Sequence, residues 1–377
     1  MNTISALDPA AERLLLSDLQ VSGFRAFDHL SIPRLGRVNV FVGPNSAGKS
    51  SLLEAMQLYA SGGAPETIVN LLISRDELSP RALELSEEDV EVLVPATTQL
   101  FFCRDAGSPA PHFRIGPRGD AEQALTVERG WVVQQPPGKP RFVSHLTNED
   151  LLGGPTRALQ VSIGERIRYE RVVPLQRLRS FIREVPWEGV VPWTYVGANG
   201  LAGSEVAELW DRIALTDLED EVLAALRILA PVERLSLIGD FDGRGERIPV
   251  VKVPGFRRPV PLRTLGDGAS RLLGLTLALV SARHGMLLVD EIENGLHVSV
   301  QDEVWRTIFS LAERLDVQVF ATTHSWDAIV GFQYAANRST AEGVLYRLER
   351  RPDGSILPTA YSEKDAEIAA RQQIEVR

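Results

Sequence analysis

The stretch Phe41-Val-Gly-Pro-Asn-Ser-Ala-Gly-Lys-Ser50 decides the fold of this 377-residue chain. From Gly43 to Ser50 it reads G-x-x-x-x-G-K-S, which is the pattern of a phosphate-binding loop. The largely apolar residues 37–42 before it predict a strand, and residues 51–59 after it predict a helix. Strand, tight loop and helix start are the context that this motif requires. We therefore expect the loop to bind the phosphates of a nucleotide.

The residue types of the loop explain how it would hold phosphate. Gly43 and Gly48 allow backbone angles and a close approach that a Cβ atom would block. The N–H groups of the loop and the positive helix end then point at phosphate oxygens. Lys49 would reach the β and γ phosphates, and the Ser50 hydroxyl would bind Mg²⁺. The nucleotide-binding candidates are Gly43, Pro44, Asn45, Ser46, Ala47, Gly48, Lys49, Ser50 and Ser51.

Composition limits the possible classes of protein. A hydrophobic content of 44% and a charged content of 24% are ordinary for a globular protein, and the net charge of −10 argues against a nonspecific nucleic-acid coat. Cys103 is the single cysteine, which excludes an intrachain disulfide and fits a reducing cytoplasm. Residues 1–19 lack the apolar core of a signal peptide, and the longest apolar run, 272–280, is too short to span a membrane. We expect a soluble cytoplasmic protein.

The rest of the chain divides into segments of different pattern. Residues 1–97 would form the N-terminal part of a nucleotide lobe. Short strand patterns between Pro- and Gly-rich loops predict an antiparallel β insertion over 98–174. Within it we expect a strand at 99–103 and a hairpin formed by 159–163 and 166–173.

Residues 175–265 predict a helical and β lobe, and residues 266–377 carry the remaining motifs with a closing hairpin and helix. The basic stretch 175–184 is either a solvated helix face, which the overall acidity favours, or a contact for nucleic acid or a partner. The spacing in 203–229 predicts a helix that buries Val206, Leu209, Trp210, Ile213 and Leu215 on one face.

A Gly-rich segment, Leu265-Gly-Asp-Gly-Ala-Ser270, precedes a helix that is apolar nearly all round and is therefore expected to be buried. The free N–H groups at its start form either a second anion site, by the same physics as the first, or an ordinary Gly-rich cap.

Two strand ends carry the candidate catalytic groups. The apolar strand 285–289 is followed by Asp290 and Glu291. In phosphate-loop ATPases the Asp at this place binds Mg²⁺, and Glu291 would then orient or deprotonate the attacking water, a contribution of typically about 10²–10⁴-fold. A second strand ends at His324, whose imidazole would bond the γ-phosphate or that water. The alternatives are an acidic turn and a structural histidine. The metal candidates are Ser50 and Asp290, and the catalytic candidates are Glu291 and His324.

Taken in order, these motifs resemble the ABC-type ATPases of the RecF/SMC-like branch, most nearly the OLD-family ATPase heads. The matching stretches are Gly23-Phe-Arg-Ala-Phe27, Gly43-Pro-Asn-Ser-Ala-Gly-Lys-Ser50, Leu265-Gly-Asp-Gly-Ala-Ser-Arg-Leu272, Asp290-Glu-Ile-Glu-Asn-Gly-Leu-His297 and Thr322-Thr-His-Ser325. The resemblance implies an α/β fold: an ABC-type P-loop ATPase head with a mixed central sheet, an antiparallel β subdomain and a helical signature lobe.

The resemblance also implies a homodimer that binds ATP and Mg²⁺ between its subunits. Each nucleotide would lie between the phosphate loop of one chain and the signature segment of the other, where Gly268 and Ser270 would touch the γ-phosphate. Asn294 and Gly295 would lie in the loop that crosses the dimer seam. The signature residues are Gly266, Asp267, Gly268, Ala269 and Ser270.

Three departures from the pattern refine this expectation. The signature is Gly-Asp-Gly instead of the Ser-Gly-Gly of transporters. No Gln stands near 196–200, where Asn199 would have to replace it. Many OLD-like proteins carry a TOPRIM nuclease after the head, but only about fifty residues follow His324, too few for such a domain. We therefore expect a stand-alone ATPase with a separate effector.

The sequence thus favours an ATP-hydrolysing dimeric head that switches a partner protein, as in bacterial defence or toxin–antitoxin-like modules. One alternative is a RecF-like repair clamp on duplex DNA, which requires a basic strip formed by Arg177, Arg179, Arg183, Arg257 and Arg258. Another is the motor subunit of a transporter, whose Leu-Ser-Gly-Gly signature this chain lacks. The residues do not identify the partner or the trigger, and they do not distinguish ATP from GTP.

Overall fold

The computed structural model describes residues 14–81, 90–102, 112–134, 140–164, 169–175, 191–239 and 247–361. The predictions for Cys103, for the arginines in 175–184 and for the closing helix after 361 lie outside these ranges. The strands are β1 (Leu19–Phe24), β2 (Phe27–Ile32), β3 (Val38–Val42), β4 (His112–Gly116), β5 (Leu125–Val133), β6 (Arg141–Val143), β7 (Thr156–Ile163), β8 (Tyr169–Pro174), β9 (Trp193–Val196), β10 (Arg234–Gly239), β11 (Arg247–Lys252), β12 (Val260–Pro261), β13 (Met286–Val289), β14 (Gln318–Thr322), β15 (Gly343–Arg350) and β16 (Ile356–Tyr361). The helices are α1 (Lys49–Ala60), α2 (Pro65–Ser74), α3 (Val90–Thr98), α4 (Asn148–Leu151), α5 (Gly203–Ile213), α6 (Asp217–Leu226), α7 (Asp267–Ser281), α8 (Gln301–Arg314) and α9 (Trp326–Ala336).

The central sheet brings the predicted motifs to one edge. Its strand order is β16-β15-β3-β14-β13-β9, and every neighbouring pair is parallel except β15 and β16. The phosphate loop follows β3, Asp290 and Glu291 follow β13, and His324 follows β14. Because parallel strands present their carboxyl ends at the same edge, this order alone places the three motifs side by side.

The antiparallel sheet has the order β2-β1-β4-β5-β7-β8, with β6 paired to β5. The predicted hairpin is confirmed, since Ile163 pairs with Tyr169 across β7 and β8. Because β1 pairs with β4, the strands of 98–174 continue a hairpin that begins before the phosphate loop. The predicted strand at 99–103 is wrong in its described part. Backbone N–H groups of residues 99–101 instead bond to the carbonyl oxygens of residues 96–98 and so continue the last turn of α3. Within this turn, Phe101 makes an isolated bridge to Phe24.

Two hydrophobic cores lie on the two faces of the central sheet. One contains α1 and is covered by the antiparallel sheet, and Phe41 points into it. The other contains α7, α8 and α9, and Val40 and Val42 point into it. Successive residues of a strand face opposite sides, so a strand buried on both faces is apolar throughout. This explains the apolar run of β13 and the largely apolar residues of β3 and β14, in which Asn39, Gln318 and Thr322 are the buried polar exceptions.

The segment between β9 and α7 forms the remaining lobe, with α5, α6 and the three-stranded sheet β10-β11-β12. The single helix predicted over 203–229 is wrong. The helical conformation is interrupted at Leu215, which has a φ of +65° and is 97% exposed instead of buried. Thr216 then starts α6, because its hydroxyl accepts a hydrogen bond from the Leu218 N–H and caps the new helix. The buried character predicted for α7 is confirmed.

Candidate active site

A cavity of about 430 Å³ opens at the carboxyl edge of the central sheet. It contains the phosphate loop together with the two carboxylates and the histidine that the sequence placed at strand ends. Its lining residues are Ala26, Asn45, Ser46, Gly48, Lys49, Ser50, Ser51, Arg75, Asp290, Glu291, His324 and Arg350. A larger cleft of about 840 Å³ lies between α1, α2, β9 and α5, but Lys49, Asp290 and Glu291 do not line it. We therefore take the smaller cavity as the site.

The backbone of the loop requires its two glycines. Gly43 has a φ of +142° and Gly48 a φ of +92°. A Cβ on Gly43 would lie 2.3 Å from the Leu348 carbonyl oxygen, and one on Gly48 would lie 2.9 Å from Ile356 Cδ1. The loop therefore turns tightly against its neighbours, and α1 begins immediately after it at Lys49. The free N–H groups of that helix start then face the cavity, as an anion site needs.

Lys49 bonds to its own loop in this structure. Its Nζ donates to the carbonyl oxygens of Gly43 at 2.8 Å and of Pro44 at 3.0 Å. Burial lowers the pKa of the Lys49 ammonium, and the negative charges of Asp290 and Glu291 oppose this effect. Within the described ranges its hydrogen bonds go to these carbonyl oxygens, and a bound phosphate would supply an anionic partner for the buried ammonium.

Ser50 and Asp290 form the part of the site suited to a cation. The Ser50 hydroxyl donates to Asp290 Oδ2 at 3.1 Å, and the Thr322 hydroxyl donates to Asp290 Oδ1 at 2.5 Å. Among the described residues there is no cluster of three or more metal-binding His, Cys, Asp or Glu side chains. Mg²⁺ does not require one, because it keeps several waters and uses one or two protein oxygens together with substrate phosphates. The hydroxyl and the carboxylate thus fit Mg²⁺, which would neutralise phosphate charge when bound.

Glu291 lies between an amide and an imidazole. Its Oε2 accepts a hydrogen bond from Asn294 Nδ2 at 2.7 Å, and its Oε1 is 3.9 Å from His324 Nε2. The backbone at Glu291 has a φ of +47°, which is rare for a residue with a side chain. Thr322 supports this conformation, because its Oγ1 accepts a bond from the Glu291 N–H at 2.9 Å. Glu291 therefore presents a carboxylate oxygen toward His324 in the lining of the cavity.

The predicted signature segment does not line this cavity. Its five residues, 266–270, lie at the start of α7, and Gly266 has a φ of +98° with no atom within 4 Å of where its Cβ would be. Gly268 packs on the predicted seam loop, since its Cβ would lie 2.9 Å from the Gly295 carbonyl oxygen. The structure thus brings the signature and the seam loop together, apart from the phosphate loop of the same chain.

Arg271, which directly follows the signature segment, links it to the catalytic strand ends. Its guanidinium is buried and donates to the carbonyl oxygens of Gly197 at 2.7 Å, Asp290 at 3.1 Å and Glu291 at 2.9 Å. Asn294 adds a bond to the Ala198 carbonyl at 3.2 Å. Asn199, which was expected to replace a Gln, is exposed and does not line the cavity.

Sequence reasoning missed four residues that contact the site: Arg75, Arg271, Thr322 and Arg350. Arg75 extends from the end of α2, where its Nε bonds Glu54 Oε1 at 2.5 Å and its Nη2 lies 3.4 Å from Ser51 Oγ. Arg350 reaches the loop from the C-terminal hairpin. Of the four, Thr322 had a signal, because it lies two residues before His324 on the same strand end. Arg271 also had a signal, because it directly follows the signature segment. Arg75 and Arg350 approach from elements whose positions no local pattern encodes.

The chain is similar to several known proteins. A family model described as "AAA domain, putative AbiEii toxin, Type IV TA system" matches residues 225–331, and one described as "AAA domain" matches residues 18–78. An "ATP/GTP phosphatase" of Helicobacter pylori is 21% identical over 94% of this chain and 97% of its own length. The SMC head domain from Thermotoga maritima is similar at a TM-score of 0.45 and 15% identity, over 93% of this chain and 100% of the other. An SMC head bound to the C-terminal winged-helix domain of ScpA is similar at a TM-score of 0.49 and 13% identity, over 94% and 99%.

The two family matches cover the phosphate loop in one case and the signature, Asp290 and His324 in the other. Together with the assembled motifs they support a P-loop ATPase, whereas the RecF/SMC-like branch stays a prediction from the sequence. Within the described ranges, no helix combines the length and the apolar character needed to cross a membrane.

Proposed function

We propose that this chain is a cytoplasmic ATPase head that closes as a homodimer around ATP and Mg²⁺ and so switches a separate partner protein. The observation that carries the proposal is the convergence of Lys49, Ser50, Asp290, Glu291 and His324 in one cavity while the signature segment lies outside it. Each chain then supplies two half-sites, and neither half is complete alone.

The half-site at the phosphate loop has the groups that hydrolysis needs. Lys49 and the start of α1 bind the phosphates, and Ser50 and Asp290 bind the cation. Glu291 accepts the proton of the attacking water, and His324 orients that water or the γ-phosphate. The 3.9 Å between the Glu291 and His324 side chains makes both of them available to one water molecule.

The half-site at the signature segment is open to a second subunit. Gly266, Asp267 and the exposed Gly295 of the seam loop lie at one surface. The N–H groups at the start of α7 attract an anion by the same dipole effect as those of α1. Arg271 and Asn294 tie this surface to the Glu291 backbone and side chain, so a γ-phosphate held there in trans would act on the catalytic carboxylate.

A role in defence or in a toxin–antitoxin-like module is supported by the description of the family model that matches 225–331. The Helicobacter pylori relative, named an ATP/GTP phosphatase, supports nucleotide hydrolysis as the underlying activity. An assignment to the OLD family rests on the motifs quoted above.

The alternative of a DNA clamp requires a basic strip. Of its five arginines, Arg257 and Arg258 fall within the described residues, and both are exposed in the turn before β12. This observation is weaker than the convergence of the five residues named above in one cavity. Duplex DNA binding that requires ATP and weakens steeply with salt would favour the clamp.

Mixing two variants that are each inactive tests whether two subunits share one active site. Lys49→Ala removes the phosphate half, and Ser270→Glu places a negative charge where the γ-phosphate would be bound in trans. Each variant alone should lose ATP hydrolysis, whereas the mixture should recover it, because a heterodimer holds one site with both halves intact. Ser310→Glu, on the exposed face of α8, is the matched control and should stay active. A mixture that forms heterodimers on a sizing column and remains inactive would overturn the shared site.

A further inference from the structure

We propose that the guanidinium of Arg350 stacks on the nucleotide base, and that the pocket therefore accepts adenine and guanine nucleotides alike. This inference rests on the proposed nucleotide hydrolysis and names the residue that holds the nucleoside half of the substrate.

Strand pairing fixes the position of Arg350. β15 runs parallel to β3, and Arg347 pairs with Val42, the last residue before the phosphate loop. Residues 348–350 therefore continue beside the loop itself. The Leu348 carbonyl oxygen lies against Gly43, and Arg350 Nε donates to the Ser46 carbonyl oxygen at 3.1 Å. The β15–β16 hairpin is thus a wall of the nucleotide cavity.

The order of the strands gives the cavity a direction. β14 and β13 lie on one side of β3, and β15 lies on the other. The groups for the cation and the γ-phosphate, namely Asp290, Glu291 and His324, follow β13 and β14. A triphosphate held by Lys49 with its γ end at those groups therefore extends its nucleoside toward the side of β15.

The residues at that end of the cavity leave one group suited to a base. Arg350 lines the cavity from β15 and contacts the loop at Ser46, next to Asn45, and the described lining residues include no aromatic side chain. Asn45 and Ser46 belong to the loop that encloses the phosphates. A guanidinium is planar and stacks on aromatic faces, including those of nucleic-acid bases. The bond from Nε to Ser46 restrains the Arg350 side chain at the wall of the cavity.

A stacking contact explains why the pocket would accept both adenine and guanine nucleotides. Every base presents a π-face, so a stacking contact holds different bases without reading the hydrogen-bonding groups on their edges. A phosphate contact by Arg350 would instead depend on charge and would not require the base. These two roles differ in a way that simple ligands can separate.

The test is calorimetric binding of ADP, GDP and inorganic pyrophosphate, each with Mg²⁺, to the full chain. We expect ADP and GDP to bind the unaltered chain with similar affinity. Arg350→Ala should weaken both by about 5- to 30-fold and leave pyrophosphate unchanged. Arg350→Tyr should keep nucleotide affinity, because it restores a planar face, and Arg350→Lys should not. Arg351→Ala, which removes the neighbouring exposed arginine outside the cavity lining, is the matched control.

Several results would overturn the inference. These are unchanged nucleotide affinity in Arg350→Ala, an equal loss for pyrophosphate, full restoration by lysine, or a strong preference for one purine. Different results would overturn the proposed function. In that case the unaltered chain would bind neither ADP nor pyrophosphate, or Lys49→Ala would bind them as well as the unaltered chain does.

Discussion

Ser50 Oγ and Asp290 Oδ2 lie 3.1 Å apart although 240 positions separate them in the chain. The contact joins the start of α1 to the end of β13, two strands away from β3 in the central sheet. It shows that the phosphate loop and the acidic strand end form one site. A hydroxyl and a carboxylate at this separation are the protein oxygens that a phosphate-bound Mg²⁺ uses.

Lys49→Ala should abolish nucleotide binding. The substitution removes the one ammonium among the described residues that line the cavity, and it leaves the carboxylates Asp290 and Glu291 to repel the phosphates. Binding of ADP with Mg²⁺, measured by calorimetry, checks this. Lys252→Ala, which removes an exposed lysine paired with Glu233, is the control. Undiminished binding in the Lys49 variant would show that the loop does not hold the phosphates through this side chain.

As pH rises, nucleotide affinity should begin to fall at a lower pH than it would if Lys49 had the pKa of an ordinary lysine. Burial lowers the Lys49 pKa below its usual 10.5, so the empty site loses this proton early. Phosphate binds the charged form, and affinity is therefore level below that pKa and declines as pH rises through it. Lys49→Arg keeps its charge over the same range, so its residual affinity should not show this decline. A midpoint at or above 10.5 in the unaltered chain would contradict the prediction.

Glu291→Gln should retain ATP and accumulate as a dimer on a sizing column. The amide cannot take a proton from water, so turnover should fall by about 10²–10⁴-fold while binding persists. Glu303→Gln, on α8, is a control away from the cavity lining. Unchanged turnover in Glu291→Gln would remove Glu291 from its role.

Thr322→Val should raise the Mg²⁺ concentration needed for activity. The Thr322 hydroxyl bonds Asp290 Oδ1 and the Glu291 N–H, and valine has the same shape without either bond. Loss of such a support typically costs about 10- to 100-fold in metal affinity or activity. A magnesium titration of ATP hydrolysis measures the shift. Thr307→Val, at a half-buried position of α8 where the hydroxyl donates to the Glu303 carbonyl oxygen, should leave the curve in place.

Glu54→Ala should lower the free energy of unfolding by about 3 kcal/mol, as for other broken buried ion pairs. Glu54 on α1 pairs with the buried Arg25 at 2.6 Å and with Arg75 at 2.5 Å. Burial raises the Glu54 pKa even though both arginines oppose this. Removing the carboxylate leaves Arg25 buried with Glu77 as its remaining partner. Denaturant unfolding followed by tryptophan fluorescence measures the loss, and Glu208→Ala, in the exposed pair with Arg212, should change it little.

Local patterns predicted the elements that depend on near neighbours. The loop 43–50, the buried helix α7 and the hairpin β7–β8 follow from glycine positions, apolar periodicity and turn residues within a few positions. The two wrong predictions of secondary structure also have physical causes. The helix predicted over 203–229 is interrupted at Leu215, because Thr216 caps a new helix there. This local cap outweighs the apolar spacing that favoured one continuous helix. Residues 99–101 follow α3 as a turn in which Leu100 and Phe101 are buried, and periodicity cannot distinguish such a turn from a strand in a short segment.

The sequence by itself determined that the chain has a phosphate loop, an acidic strand end and a strand-end histidine, because each is a short motif with its own backbone geometry. Tertiary structure alone decided that Thr322 supports Asp290, that Arg271 bonds three strand-end carbonyls, and that Arg350 borders the loop. The last contact joins residues 304 positions apart. Such contacts depend on the order in which strands join the sheet, and that order is set by burial and pairing over the whole chain, which no local pattern encodes.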